Sequence, residues 1–305
     1  MTASRIVSLL PAATEIACAL GLREHLVGRS HECDFPPGIE VLPPCTRSRV
    51  AGWTSREIDT SVRERARAGI SLYEVDEPLL ASLEPTIILT QDQCDVCAVS
   101  LESVEQAVAR TVPSKPRILS LAPSTLGDVF SDIRRVAESL GRPEKSKELL
   151  GELGRRVSGV GEKTGALSNR PRVACIEWFD PLMVSANWVP ELVRVAGGEP
   201  LFLETGEKSA RIQIGDLVTA DPDVIVLLPC GFDIARARSE ISALEERPGW
   251  SELSAVRSKR VFVVDGNAYF NRPGPRLVDS LEILAEILHP DRFEPTRRGD
   301  GWQPL

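Results

Sequence analysis

Strand-like and helix-like runs alternate along almost the whole chain, and a single long helical segment near the middle interrupts them. This pattern constrains the fold more than any motif does. In the first half, "RIVSLL" leads into "AATEIACALGL", where Ile16, Ala19 and Leu20 recur at helical spacing and Gly21 supplies a stop. "HLVGRS", "SLYEVD", "TIILT" and "RILSLAP" read as further strands. "SREIDTSVRERARAG", "EPLLASL", a segment ending at Arg110 and "STLGDVFSDIRRVAESLG" read as helices. The second half repeats the scheme with strands "RVACIEWF", "DVIVLLPCG" and Val261 to Val264. Its helices are "NWVPELVRVAGG" and "GPRLVDSLEILAEILHP". Between the halves, Leu149, Leu150, Leu153, Val157 and Val160 form one apolar stripe at helical spacing. Strand–helix alternation implies mostly parallel sheets covered by helices. The expected fold is therefore α/β, with two Rossmann-like lobes joined by one long connecting helix and a ligand cleft between them. The expected boundaries are 1–141 for the N-terminal lobe, 142–168 for the connecting helix and 169–290 for the C-terminal lobe. A polar tail, 291–305, is expected to fray.

At 305 residues the chain is long for one core and suited to two. A net charge of -8 and the absence of a dense Lys/Arg block argue against a nucleic-acid partner. No stretch reaches the ~18 apolar residues of a membrane helix. The opening "MTASRIVSLLPAATEIACAL" breaks its apolar run at Pro11 and reads as a first strand entering a helix rather than an export signal. As written, the chain is expected to be cytoplasmic; a truncated start would make it periplasmic or extracellular. A monomer is expected. Of seven cysteines, Cys18, Cys45 and Cys175 read as small buried hydrophobes.

In parallel sheets, ligands bind beyond the carboxyl ends of the strands. Chemically unusual residues gather at such ends here: His31, Glu32 and Cys33 after one strand, Gln91, Asp92, Cys94 and Cys97 after another. In the second half they are Trp178 and Phe179, Cys230, and the stretch from Asn267 to Arg272. Trp178 and Phe179 suit either core packing or stacking on a flat ligand. Arg272 suits pairing with an anionic or amide group.

The ordered set "RIVSLLPAATEIACALGL", "LVGRSHECDFPP", "LASLEPTIILT", "VPELVRVAGGEPLF", "IQIGDLVTADPDVIVL" and "KRVFVVDGNAYFNRPGPR" resembles the helical-backbone, class III solute-binding proteins. Within that class it is most similar to the cobalamin-binding members of ABC import systems, over roughly residues 4 to 290. The resemblance implies a non-catalytic protein that grips a corrinoid or related metal chelate between its lobes and delivers it to an ABC transporter permease. The implied ligand-binding residues are His31, Glu32, Cys33, Gln91, Asp92, Trp178, Phe179, Tyr269, Phe270 and Arg272. Glu32 and Gln91 fall where the family carries aromatics. About twenty residues around Gly52 to Tyr73 look inserted. The family's docking acids fall at Pro78 and Gly215, so Glu77 and Asp216 beside them are the partner-docking candidates.

The alternative is a cytoplasmic metal- or thiol-dependent enzyme, or a metal-ion-binding protein, using Cys94, Cys97, His31 and Cys33. A CxxC is half of a zinc site, but "HxC" is a poor second ligand pair. No cofactor is required by the first reading; a bound corrinoid cobalt or a metal ion is the candidate guest. GxGxxG, GxxxxGK[ST] and GxSxG are all absent from the sequence, and the three histidines follow no triad order.

Overall fold

The computed structural model describes residues 4–50, 52–68, 70–92 and 99–305. The chain divides into two compact units. The first comprises the segments up to Trp53, Glu57–Pro123 and Gly127–Gly151; the second comprises Thr54–Arg56, Ser124–Leu126 and Glu152–Leu305.

The first unit contains β1 (Ile6–Ser8), α1 (Pro11–Ala19), β2 (Leu26–Arg29), β3 (Thr46–Ser48), most of α2 (Ser55–Arg67), β4 (Tyr73–Val75), α3 (Glu77–Ser82), β5 (Ile87–Gln91), α4 (Leu101–Thr111), β6 (Arg117–Leu121) and all but the first residue of α5 (Leu126–Ser139). Its sheet is wholly parallel, in the order β2-β1-β5-β6. Every residue of β1 and β5 is buried, which is why these strands read as continuous apolar runs. Pro11 opens α1, where its missing N–H costs nothing. The side chains of Asp76 and Ser100 cap α3 and α4 by accepting the N–H groups of Leu79 and Ser103. Gly28 in β2 leaves room for its neighbours: a Cβ there would lie 2.6 Å from Cys45 Sγ and 2.8 Å from Leu83 Cδ1, and both side chains would have to shift. Val7, Leu9, Leu80, Ile88 and Val104 form the centre of this core. The strand read in "SLYEVD" exists as β4, yet it stays off the parallel sheet. It pairs antiparallel with β3, Thr46 opposite Val75, in a separate two-stranded ribbon.

The connecting helix, α6 (Pro143–Thr164), has 22 residues, about 33 Å at 1.5 Å per residue. The boundary between the units falls inside it, after Gly151. The second unit then contains β7 (Arg172–Trp178), β8 (Met183–Val184), α7 (Val189–Val195), β9 (Glu199–Pro200), β10 (Ala210–Arg211), α8 (Ile214–Ala220), β11 (Val224–Leu227), α9 (Ile234–Ser239), α10 (Ser242–Glu245), α11 (Ser254–Arg257), β12 (Val261–Val264), α12 (Leu277–Leu288) and β13 (Trp302–Pro304). Its sheet runs β10-β8-β7-β11-β12-β13, with β9 beside the start of β7. The strands β9, β7, β11 and β12 run parallel; β8, β10 and β13 add antiparallel pairs. The mostly parallel sheets expected from the sequence thus carry antiparallel pairs in this unit, and β13 corrects the expectation of a frayed tail. Trp302, only 5% exposed, seats the tail against β12. Its indole Nε1 donates to Glu286 Oε2 at 2.7 Å. Glu286, itself buried, also accepts from the backbone and hydroxyl of Thr296 and from the backbone of Arg297.

Among the described residues no helix is long and apolar enough to cross a membrane.

Candidate functional site

The chemistry expected at the first unit's strand ends is assembled by Arg29, the last residue of β2. Its Nε and both terminal nitrogens donate to the carbonyls of Leu42, Ser30, His31 and Glu40, drawing the segment after β2 around one guanidinium. Nothing in the sequence around "LVGRS" singles this residue out. The loop so formed places His31 on Thr46, the first residue of β3. Thr46 Oγ1 donates its one proton to Ser30 Oγ at 3.1 Å. It can therefore only accept from His31, whose backbone N–H lies at 3.1 Å and whose ring Nδ1 lies at 2.8 Å. The network thus assigns the ring proton to Nδ1 and leaves the lone pair on Nε2. Burial, and then the charge of Arg29, hold the imidazole below its ordinary pKa, so the ring is neutral at pH 7. Glu32 Oε1 stands 3.9 Å from Nε2, beyond hydrogen-bond reach, and with a neutral ring the contact is not an ion pair. The His31 side chain keeps 26% exposure. The result is a neutral nitrogen donor of fixed tautomer, partly open at a strand end.

Cys33 differs. It is 1% exposed, with Sγ 3.0 Å from Thr14 Oγ1. His31 and Cys33, half of the expected metal quartet, are thus engaged by different hydroxyls. Cys94 and Cys97 lie outside the described residues. Among the described residues, no three His, Cys, Asp or Glu side chains gather as a metal site. Gln91 is buried as the last residue of β5; Asp92 follows it, exposed, its N–H donating to Leu121 O at 3.0 Å. Of the cysteines read as buried hydrophobes, Cys45 and Cys175 are buried, and burial pushes both thiols up to about 12. Cys18 is half-buried and pushed up to about 11.

The second unit's strand ends form a prebuilt shelf. Trp178 ends β7, its ring tilted against the buried Phe232 at 5.3 Å between centroids. On the far side of β11, Gly266 passes so close to Pro229 that a Cβ would lie 2.2 Å from the Pro229 carbonyl oxygen. Asp265 Oδ1 accepts the N–H groups of Asn267 and Ala268, and burial raises its pKa. Asn271 Nδ2 donates to Leu228 O and Gly266 O, binding the two strand-end loops together. Arg272, 7% exposed, donates to Asn267 Oδ1 at 3.0 Å. Glu177, beside Trp178, accepts from Ser209 at 2.8 Å and from Ser185, and burial raises its carboxyl pKa.

The aromatic expectations divide here. Phe179 and Phe270 are fully buried. Phe270 adopts φ +61°, receives Trp188 Nε1 on its carbonyl at 2.7 Å and donates its N–H to Ser280. Both are core side chains in this conformation: those two bonds hold the turn of Phe270, and Phe179, on a different loop, accepts Arg247 Nη2 on its carbonyl at 2.7 Å. Trp188, also buried, is one of those anchors. Trp178 and Tyr269 remain partly exposed. Arg297 donates to the Tyr269 hydroxyl at 3.3 Å, and Arg276 lies 5.5 Å from its ring. The docking acids are both occupied within their own units: Glu77 pairs with Arg110, and Asp216 Oδ2 accepts the N–H of Gln213 at 2.8 Å.

Two α/β units with one long helix running from the first into the second define a two-lobed solute-binding fold. The chain belongs to the periplasmic binding protein family, whose model matches residues 6–268. It is 25% identical over 298 residues to an uncharacterized ABC transporter substrate-binding lipoprotein of Bacillus subtilis, covering 95% of this chain and 81% of that one. It is 24% identical to a vitamin B12-binding protein of Vibrio cholerae, over 94% of this chain and 89% of that one. Among solved structures, the apo periplasmic heme-binding protein of Roseiflexus sp. RS-1 superposes with a TM-score of 0.71 at 22% identity. That match covers 94% of this chain and 98% of the other. The class is thus the helical-backbone type that the sequence suggested.

Proposed function

We propose that this chain captures a planar metal chelate, a corrinoid or a heme-like macrocycle, at the strand-end loops, without catalysing a reaction. The observation that carries the reading is His31. Metal–nitrogen coordination needs a neutral imidazole with a defined lone pair, and the Ser30–Thr46–His31 chain supplies both. Glu32 and Cys33 follow that donor directly in sequence, and Gln91 and Asp92 stand at the end of β5 in the same sheet. Trp178 and Tyr269 offer partly exposed rings for the macrocycle face, and Arg272, buried and bonded to Asn267, stiffens the loop that carries Tyr269. Phe179 and Phe270 support these from the core. Relatives named for vitamin B12 and a structural neighbour named for heme agree with the ligand class and leave its metal open. The partner under this reading is an ABC transporter permease, met outside the cytoplasm, with Glu77 and Asp216 as candidate docking acids.

Absorbance titration with cyanocobalamin, cobinamide and hemin tests the proposal. At least one should bind with a Kd of about 10 µM or below, with the spectral shift of nitrogen coordination. His31→Ala should abolish that shift. Thr46→Val, which removes the hydroxyl that holds the His31 ring and backbone N–H, should weaken binding by about tenfold or more. Absence of binding for all three at about 50 µM would refute the chelate reading.

A further inference from the structure

The second unit holds a cavity of about 690 Å³ that the strand-end chemistry does not use. Its position follows from its lining. Pro171, Asp223 and Arg260 immediately precede β7, β11 and β12, so the cavity lies at the amino-terminal edge of the sheet, opposite the loops described above. Two guanidinium groups line it, Arg257 at the end of α11 and Arg260 before β12. Among the described residues neither has an ion-pair partner. The Arg257 side chain makes no hydrogen bond, and that of Arg260 makes one marginal contact, to Leu288 O at 3.4 Å. Arg260 is partly buried, and burial lowers its pKa despite the pull of Asp223. Arg260, partly withdrawn from water and bonded to no carboxylate, carries a desolvation cost that an arriving anion recovers in part, while the exposed Arg257 offers a second guanidinium at the rim.

The acidic neighbours are committed elsewhere. Asp223 Oδ2 accepts the N–H of Arg172 at 2.7 Å. Both oxygens of Asp221, close enough to Arg257 to feel its charge, accept from Ser254. With Arg172, Arg257 and Arg260 set against Asp221 and Asp223, the surroundings keep one net positive charge. His289, which also lines the cavity, is held neutral by burial and adds no charge at pH 7.

We propose that this cavity binds an oxyanion of a small metabolite, a carboxylate or a phosphate, through Arg257 and Arg260. The planar guanidinium fork suits both groups. The site is independent of the chelate reading. Calorimetric titration of the full chain with inorganic phosphate and, separately, with succinate tests it, each balanced in ionic strength with chloride. At least one anion should bind in the millimolar range, and the Arg257→Gln, Arg260→Gln double variant should bind it about tenfold or more weakly. Phosphate alone would identify a phosphorylated ligand, and succinate alone a carboxylate. Hemin and cobalamin titrations should be unaffected by the double variant. If that variant is unfolded by circular dichroism, Arg257→Gln alone, at an exposed position, should still weaken binding. No binding of either anion at about 20 mM, or equal binding by the folded variant, would overturn the site.

Discussion

Replacing Trp302 by Ala is the sharpest test of how the second unit is closed. The indole is 5% exposed, packs edge-on to Phe262 with 5.6 Å between centroids, and donates to the buried Glu286. Truncating a buried Trp costs about 3–5 kcal/mol, and losing a hydrogen bond to a charged group costs about 1.5–3 kcal/mol. The two overlap, because Glu286 keeps its bonds to Thr296 and Arg297. We therefore expect about 4 kcal/mol for Trp302→Ala and about 2 kcal/mol for Trp302→Phe, which keeps most of the volume and loses the donor. The tail can also detach on its own, which caps the global loss at the free energy of docking it. Hydrogen exchange separates these outcomes. The N–H groups of Asp265 and Leu305 donate to Gly301 O and Val261 O across the tail, so both should lose protection first. Urea unfolding then measures what remains. If Trp302→Ala leaves both amides as protected as in the wild type, the tail does not hold this edge and the reasoning fails.

Three further outcomes follow from named contacts. Arg156 on α6 bonds Glu282 twice, at 2.8 and 2.6 Å, and Asp279 at 2.6 Å, while Asp279 also retains Arg297. Arg156→Met should therefore cost about 1–2 kcal/mol, read as a lower urea midpoint, and a cycle with Glu282→Gln should show coupling rather than additivity. Gly154 and Gly159 sit within α6 with no atom inside 4 Å of an added Cβ. Each Gly→Ala change should stabilise by about 0.5–1 kcal/mol, and thermal melting that shows destabilisation would refute the open-space argument. His31 and His289 both have folded pKa values lowered by burial, so the native state favours their neutral forms. Stability should be level above about pH 6.5, the unfolded imidazole value, and fall below it. Urea midpoints at pH 7.5 and 5.5 should differ less in a His31→Gln variant than in the wild type.

The ten residues nominated at strand ends met different fates for one reason: sequence gives position along a strand but not what stands behind it. His31 was legible as a histidine at a strand end. Its fixed tautomer was not, because that depends on Thr46, fifteen residues away, and on Ser30. Phe179 and Phe270 looked like ligand faces in the same way as Trp178 and Tyr269. Only the anchoring of the Phe270 turn by Trp188 and Ser280, that of the Phe179 carbonyl by Arg247, and the full burial of both rings separate core from surface. Arg29 carried no motif; four carbonyls brought to it by a loop made it an organiser.

The sequence by itself determined the α/β alternation, the long helix between two halves and the family, because these rest on local periodicity and on an ordered run of segments. The short, β-branched run that opens Ile87–Gln91 reads as a buried strand, and the Leu149-to-Val160 stripe repeats at helical spacing. Tertiary structure alone decided that Tyr73–Val75 leaves the main sheet for Thr46–Ser48, that the polar tail becomes a strand, and that Arg257 and Arg260 line one cavity. Each of these depends on a partner distant in the chain, whose contribution appears only when folding brings it within bonding distance.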